Sequence, residues 1–202
     1  MRNDSLIDLF KKHNALLEGH FLLSSGLHSN KYLQCALVLQ YPELAEKVAM
    51  LLFEEIKKNN NNILEKITVV VSPALGGIII GQEMARVIKT IIGTNVRAIF
   101  TERDSSGEMV LRRGFNITKE DNVLIVEDVV TTGKSTNEVI EVVQKNNGNI
   151  LSLSSIINRG NAEKNFKYPY FYISKVEIEN FDPQTCPLCK QNIELVKPGS
   201  RK

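Results

Sequence analysis

The hydrophobic positions of this chain change period along its length. Over residues 6–18, Leu6, Leu9, Phe10 and His13 recur at helical spacing, which predicts a first helix. Residues 19–35 (GHFLLSSGLHSNKYLQC) alternate poorly and are rich in Gly, Ser and His, which predicts short strands around a turn. Pro42 opens a clear helix with Leu44, Val48, Leu51, Leu52 and Ile56 on one stripe. The polar run at 57–62 (KKNNNN) reads as a solvated connection. From residue 67 strand and helix alternate. Strands are expected at 67–71, 95–100, 123–126 and 150–157. Helices are expected at 77–92, with Ile80, Met84, Val87, Ile88 and Ile91 inward, and at 135–146, carrying Thr136, Val139, Ile140 and Val143. This succession implies an α/β fold with a parallel sheet and helices on both faces. Residues 101–115 follow neither period. After residue 161 the alternation stops, and 168–200 reads as a small strand-and-turn appendage.

Length and composition narrow the class. A chain of 202 residues suits one domain with an ample core. Its 43% hydrophobic and 24% charged residues place it among folded globular proteins rather than disordered ones. A net charge of +2 is too small to argue for a nucleic-acid partner. No apolar run approaches the ~20 residues of a membrane span. The start, MRNDSLIDLFKKHN, has no signal-peptide core. Three cysteines, Cys35, Cys186 and Cys189, make no disulfide framework, so the cytoplasm is the expected compartment.

The chemistry concentrates in residues 123–136, VLIVEDVVTTGKST. An apolar run suits a strand buried on both faces. Glu127 and Asp128 follow at its carboxyl end, where open α/β sheets form their ligand crevice. Thr131, Thr132, Gly133, Lys134 and Ser135 then supply hydroxyls, backbone N–H groups and a helix start, which together make a phosphate cradle. A nucleoside-triphosphate P-loop is excluded, because the position that must be its first glycine is Asp128. Two carboxylates beside one phosphate cup suit a ligand with both a phosphate and sugar hydroxyls. Two further strand ends face the same way. Gly76 and Gly77, in SPALGG, let a ligand approach the backbone at a helix start. Arg159, in INRG, offers a planar fork suited to a carboxylate.

With these motifs the chain resembles the type I phosphoribosyltransferases, and within them the orotate phosphoribosyltransferases. The ED-apolar-apolar-TTGKS run is similar to that family's phosphoribosyl-pyrophosphate (PRPP) signature. FLLSSGLHSNKY, SPALGG, FTERDSSGEMVLRRGF and CPLCKQNIELVKPGSR resemble one bacterial branch of orotate enzymes. The resemblance implies the type I phosphoribosyltransferase fold as one domain over 1–202, with a core of about 42–160. It implies a hood from about 19–36 and 165–202 and a mobile loop at about 101–114. The implied reaction transfers ribose 5-phosphate from PRPP to orotate, in pyrimidine biosynthesis, with Mg²⁺ carried by the substrate and no direct protein–metal bond. A homodimer is implied as well. On matching positions, Glu127 and Asp128 would hold the ribose hydroxyls, directly or through Mg²⁺-ordered water. Val129, Val130, Thr131, Thr132, Gly133, Lys134 and Ser135 would wrap the 5′-phosphate. Thr131 would also touch orotate, and Arg159 would bind its carboxylate. Ala74, Leu75, Gly76 and Gly77 would lie against pyrophosphate, and residues 21–34 would cover the pyrimidine.

The chain departs from the better-known pattern of that family. Gly76 and Ser24 stand where lysines are usual, and the loop lacks the Arg-Lys-x-x-Lys-x-His run. Of its basic residues, Arg103 and Arg113 are the candidates to serve the leaving pyrophosphate. Two other readings share the PRPP half-site. A purine-base transferase would give Arg159 no carboxylate to bind. A non-catalytic PRPP-sensing regulator would be expected to carry a DNA-binding module, and no helix-turn-helix precedes the core. Cys186-Pro-Leu-Cys189 has the spacing of half a zinc site. Cys35 and the histidines show no matching pair along the chain, so a plain turn is expected unless a dimer supplies ligands. His13 is expected on a helix face and His28 in the hood. The basic tail VKPGSRK has the charge to approach a phosphate, but a frayed end is expected.

Overall fold

The computed structural model describes residues 3–23 and 25–198. Ser24 and Gly199–Lys202 of the tail lie outside the described residues. In chain order the elements are α1 (Asn3–Lys12), β1 (Leu16–Leu22), β2 (His28–Leu33), α2 (Ala36–Leu39), α3 (Pro42–Leu64), β3 (Val69–Pro73), α4 (Gly77–Ile92) and β4 (Arg97–Arg103). There follow β5 (Met109–Leu111), β6 (Asn122–Val130), α5 (Lys134–Lys145), β7 (Asn149–Asn158), a 3₁₀ turn (Ala162–Asn165), β8 (Tyr170–Lys175), β9 (Asn180–Phe181) and α6 (Pro187–Lys190).

Six strands form the main sheet in the order β5-β4-β3-β6-β7-β8. All neighbours are parallel except β4 and β5. Val69–Val71 and Val123–Val126 are each wholly buried because both faces of the sheet are covered. The faces alternate along each strand. Val70, Leu124 and Val126 pack with α1, α3 and α4, whereas Val69, Val71, Val123 and Ile125 pack with Val139, Ile140 and Val143 of α5. A second, three-stranded antiparallel sheet, β1-β2-β9, makes the hood.

Several expectations are corrected. The first helix stops at Lys12 rather than continuing to residue 18, because Asn14 turns left-handed (φ 55°) and sends the chain into β1. The polar run at 57–62 is helical, since α3 continues to Leu64 with a break at Asn60. Its lysines face solvent, while Ile63 and Leu64 are buried beyond it. Ile91 is 42% exposed, as it lies off the stripe of Ile80, Met84, Val87 and Ile88. Residues 101–115 are not aperiodic. Thr101, Glu102 and Arg103 pair with Leu111, Val110 and Met109, and Asp104 closes the turn by accepting bonds from the Ser106 and Glu108 N–H groups. Nor does the alternation end at residue 161. β8 joins the main sheet beside β7, with Leu153 opposite Tyr170 and Ser155 opposite Tyr172. Tyr170 and Tyr172 are half-buried there, which hides the strand from a search for apolar runs.

The turn expected at Cys186–Cys189 is the single helical turn α6, and it is not isolated. Both sulfurs lie against His20 of β1, and the Cys189 sulfur also lies against His28 of β2. The pair that sequence spacing failed to find sits at the other end of the chain and arrives through the fold.

Candidate active site

β6 runs past its apolar stretch and ends at Val130, so Glu127 and Asp128 are strand residues rather than loop residues. Consecutive strand side chains point to opposite faces. Glu127 therefore faces α5, where it accepts a short hydrogen bond from Thr136 Oγ1. Asp128 faces α4, and a Cβ on Gly76 would lie 2.6 Å from Asp128 Oδ2 and 2.7 Å from Oδ1. Glycine at position 76 is thus what gives this carboxylate its space, where the better-known pattern has lysine. Burial pushes Glu127 up to about 7, against the lowering effect of the Thr136 bond, and the charges of Asp128 and Glu138 add to the rise. Burial also raises Asp128, opposed by the Val129 N–H.

Beyond Val130 the chain bends at Thr131 and Thr132, both exposed, and enters α5 through Gly133 (φ 79°). That left-handed conformation favours glycine, and Phe166 would lie 2.8 Å from a Cβ there. Among the described residues no side chain caps the start of α5, and Lys134 N–H donates weakly to Thr132 Oγ1 at 3.3 Å. The bend therefore presents hydroxyls and an uncapped helix N-terminus side by side, an arrangement that favours an anion.

Arg159 follows the last residue of β7, and its N–H donates to Val130 O (2.8 Å), which holds it beside the bend. Its Nη2 donates to Asn180 Oδ1 of β9 at 2.9 Å, while its Nε is buried with no partner among the described residues. Burial lowers the pKa of this guanidinium from its ordinary value. Thr131, Thr132 and Arg159 together line a cleft of about 600 Å³. Lys31, Tyr32, Asn180 and Lys197 of the hood line it as well. Lys197 and Pro198 belong to the tail expected to fray, and are instead held at the cleft by Val196, which exchanges backbone bonds with His20 and Leu22.

The strand-end residues are not all in this cleft. Glu127, Asp128 and Ala74 to Gly77 lie off its lining, with Asp128 packed beside Gly76. Leu75 is 84% exposed. Arg103 and Arg113 are both engaged elsewhere. Arg103 pairs with Glu138 of α5 at 2.5 Å, and Arg113 with Glu102 at 2.5 Å. Sequence reasoning had Asn180 and Lys31 only within broad hood segments, without singling them out, and missed the role of Thr136. The first two reach the cleft only through the β1-β2-β9 sheet, and Thr136 reads as one more helix-stripe residue until Glu127 is placed beneath it.

The phosphoribosyl transferase domain family matches residues 38–187. An orotate phosphoribosyltransferase of Caldicellulosiruptor bescii is 48% identical over 202 residues, covering all of both chains. The chain belongs to the orotate phosphoribosyltransferase family. The enzyme of that name from Carboxydothermus hydrogenoformans is 45% identical over 98% of this chain and 97% of its own. Among solved structures, orotate phosphoribosyltransferase from Aeropyrum pernix superposes with a TM-score of 0.67 at 22% identity, covering 85% of this chain and 93% of that one. That likeness extends the family's fold to a distant sequence. The α/β architecture is the type I phosphoribosyltransferase fold.

Proposed function

We propose that the protein transfers the ribose 5-phosphate group of PRPP to orotate, forming orotidine 5′-monophosphate and releasing pyrophosphate. The observation that carries this reading is the Arg159 guanidinium, which lines the cleft beside the hydroxyl-rich bend at Thr131 and Thr132. A cation in a partly buried cleft favours an anionic partner, and the carboxylate of an anionic base entering the cleft supplies one. A neutral purine does not, which sets the purine-base reading behind the orotate one.

The division of labour follows from the charges of the donor. Val129 to Ser135 cradle the 5′-phosphate through backbone N–H groups and the hydroxyls of Thr131, Thr132 and Ser135. Glu127 and Asp128 accept from the ribose hydroxyls, and Ala74 to Gly77 face the pyrophosphate. Orotate lies between Arg159 and Thr131 under the hood, which excludes water while positive charge builds at the anomeric carbon. No nucleophilic side chain is needed, because placing the two reactants and stabilising charge account for the chemistry.

The donor set fits Mg²⁺ arriving with the substrate. The carboxylates at this strand end are hard oxygen ligands, yet Glu127 is already engaged by Thr136. Asp128, with Glu127 beside it along the strand, would steady the ion's water shell. The ion would neutralise the leaving pyrophosphate.

The β4–β5 hairpin is the element read as a mobile cover, with Arg103 and Arg113 exchanging their carboxylate partners for pyrophosphate when it closes. A homodimer is proposed on the family's pattern, and the exposed Leu75 and Ile79 beside the strand end support a covering neighbour. Among the described residues no helix is long and apolar enough to cross a membrane. A cytoplasmic location suits an enzyme of free nucleotide precursors.

One experiment separates the readings. The purified protein is incubated with PRPP and Mg²⁺ together with orotate, hypoxanthine or no base. PRPP consumption with orotate alone is expected. Consumption with hypoxanthine would point to a purine enzyme, and binding without turnover to a regulator.

A further inference from the structure

The hood brings together four side chains for which the proposed transfer has no use. His20 Nε2, His28 Nδ1 and the sulfurs of Cys186 and Cys189 all lie within 4.8 Å of one another. The Cys186 sulfur is 3.5 Å from His20 Nε2. The Cys189 sulfur is 3.8 Å from His20 Nε2 and 3.4 Å from His28 Nδ1. We infer that these four groups form a tetrahedral structural zinc site, which fastens the C-terminal segment to the β1–β2 hairpin.

Three independent observations support it. The first is spacing. With Zn–N near ~2.05 Å and Zn–S near ~2.3 Å, a tetrahedron has N–S edges of about 3.5 Å. Three of the four nitrogen–sulfur separations, 3.5, 3.8 and 3.4 Å, scatter about that value, and the fourth is within 4.8 Å. His20 Nε2 and His28 Nδ1 are 2.8 Å apart, the distance of a shared proton. An ion in place of that proton requires the rings to part by about half an ångström, to the ~3.3 Å of a tetrahedral N–N edge.

The second is the tautomer. His20 Nδ1 lies 2.9 Å from Ile193 O. A carbonyl only accepts, so Nδ1 carries the proton and the Nε2 lone pair faces the sulfurs. Histidines that bind metals are oriented in this way by a bond from their other nitrogen.

The third is charge and burial. His20, His28 and Cys186 are 2%, 6% and 1% exposed. A dication bound by two thiolates and two neutral imidazoles leaves a net-neutral group, which tolerates such burial far better than a lone charge. Binding removes one proton from each thiol and changes no oxidation state. A set of two sulfurs and two nitrogens favours zinc and disfavours the Mg²⁺ that accompanies PRPP. Both cysteines are free thiols, which leaves the sulfurs available.

The site would act on the cleft from a distance. Phe21 pairs with Val196, Leu22 N–H donates to Val196 O and Val196 N–H to His20 O, each bond 2.9 Å. Leu22, Lys197 and Pro198 then line the cleft. Zinc at His20 would hold this wall in register while taking no part in the transfer.

The test uses the full chain purified under reducing conditions from zinc-supplemented culture. Metal content is read by mass spectrometry, and release is followed with a colorimetric chelator after mercurial capping of the thiols. One zinc per chain is expected, released only on capping. Replacement by Co²⁺ is expected to give the absorption of a tetrahedral, thiolate-bound ion. Cys189→Ser, at an exposed position, keeps the fold and is expected to lower zinc affinity by about 100-fold or more. Three outcomes would overturn the assignment. The wild type could take up neither zinc nor Co²⁺ when fully reduced. Cys186 and Cys189 could be recovered as a disulfide that forms in preference to metal binding. Zinc could also be held equally well by Cys189→Ser. These readouts do not depend on which base the enzyme uses, so failure here leaves the transferase reading intact.

Discussion

Replacing Arg159 with alanine should separate affinity from stability. Among the described residues the guanidinium makes one side-chain bond, to Asn180 Oδ1 at 2.9 Å, and buries one N–H with no acceptor. Losing a charge-assisted bond costs about 1.5–3 kcal/mol, and removing a buried unpaired donor returns about 1–3 kcal/mol. The two offset, so the variant should unfold within about 1 kcal/mol of the wild type. Binding behaves differently. A charge-assisted fork to a carboxylate is worth about 3 kcal/mol in a cleft open on one side, or roughly 100-fold in kcat/KM for orotate. Arg159→Lys keeps the charge and loses the fork, so a loss of about 10-fold is expected. Steady-state kinetics with each substrate varied in turn, calorimetric titration of PRPP and denaturant unfolding supply the three readouts. An equal fall in PRPP and orotate affinity would refute the placement of orotate at Arg159. So would a loss of 3 kcal/mol or more in stability, which would make the residue structural.

Gly76→Ala puts a Cβ 2.6 Å from an Asp128 carboxylate oxygen and should destabilise the protein by about 1–3 kcal/mol in urea unfolding, with partial rescue by Asp128→Ala. No rescue would mean that the clash lies elsewhere. Glu127 has its pKa raised from 4.5 to about 7, so the folded state holds a proton that the unfolded chain releases between those values. Its contribution is therefore complete below 4.5 and fades as pH rises through about 7, by at most about 3 kcal/mol. Unfolding of Glu127→Gln compared with wild type at pH 5 and 8 should show a flatter profile, and parallel profiles would contradict the shift. Arg103→Ala and Arg113→Ala remove exposed ion pairs and should each change stability by no more than about 0.5 kcal/mol. If the hairpin serves pyrophosphate, at least one should lower kcat by about 10-fold with the orotate KM unchanged. Two unaffected values of kcat would remove these arginines from the mechanism.

The central α/β unit was legible because its signals are local. Val123–Val126 buries on both faces and reads as a continuous apolar run, and α4 and α5 show their stripes at helical spacing. The acid pair, the bend at Thr131 to Gly133 and Arg159 occupy neighbouring strand ends for the same reason, since parallel strands deliver their carboxyl ends to one edge. β8 was not legible. Half-buried tyrosines on an edge strand lack the period of a buried one. The hairpin at 101–111 was hidden because its pairing joins charged residues across a polar turn.

What the chain determined by itself, then, is the order of the central strands and helices and a hydroxyl-rich bend whose backbone N–H groups suit an anion. Those depend on residues adjacent in sequence and on the periods of strand and helix. The tertiary structure decided everything that requires distant segments to meet. It set Glu127 beneath Thr136 and Asp128 beside Gly76, brought Asn180 and Lys197 to the cleft that Thr131 lines, and carried Cys186 and Cys189 to His20 and His28. No local pattern encodes such meetings, because they follow from how the hood's strands pair and how the C-terminal segment packs along β1.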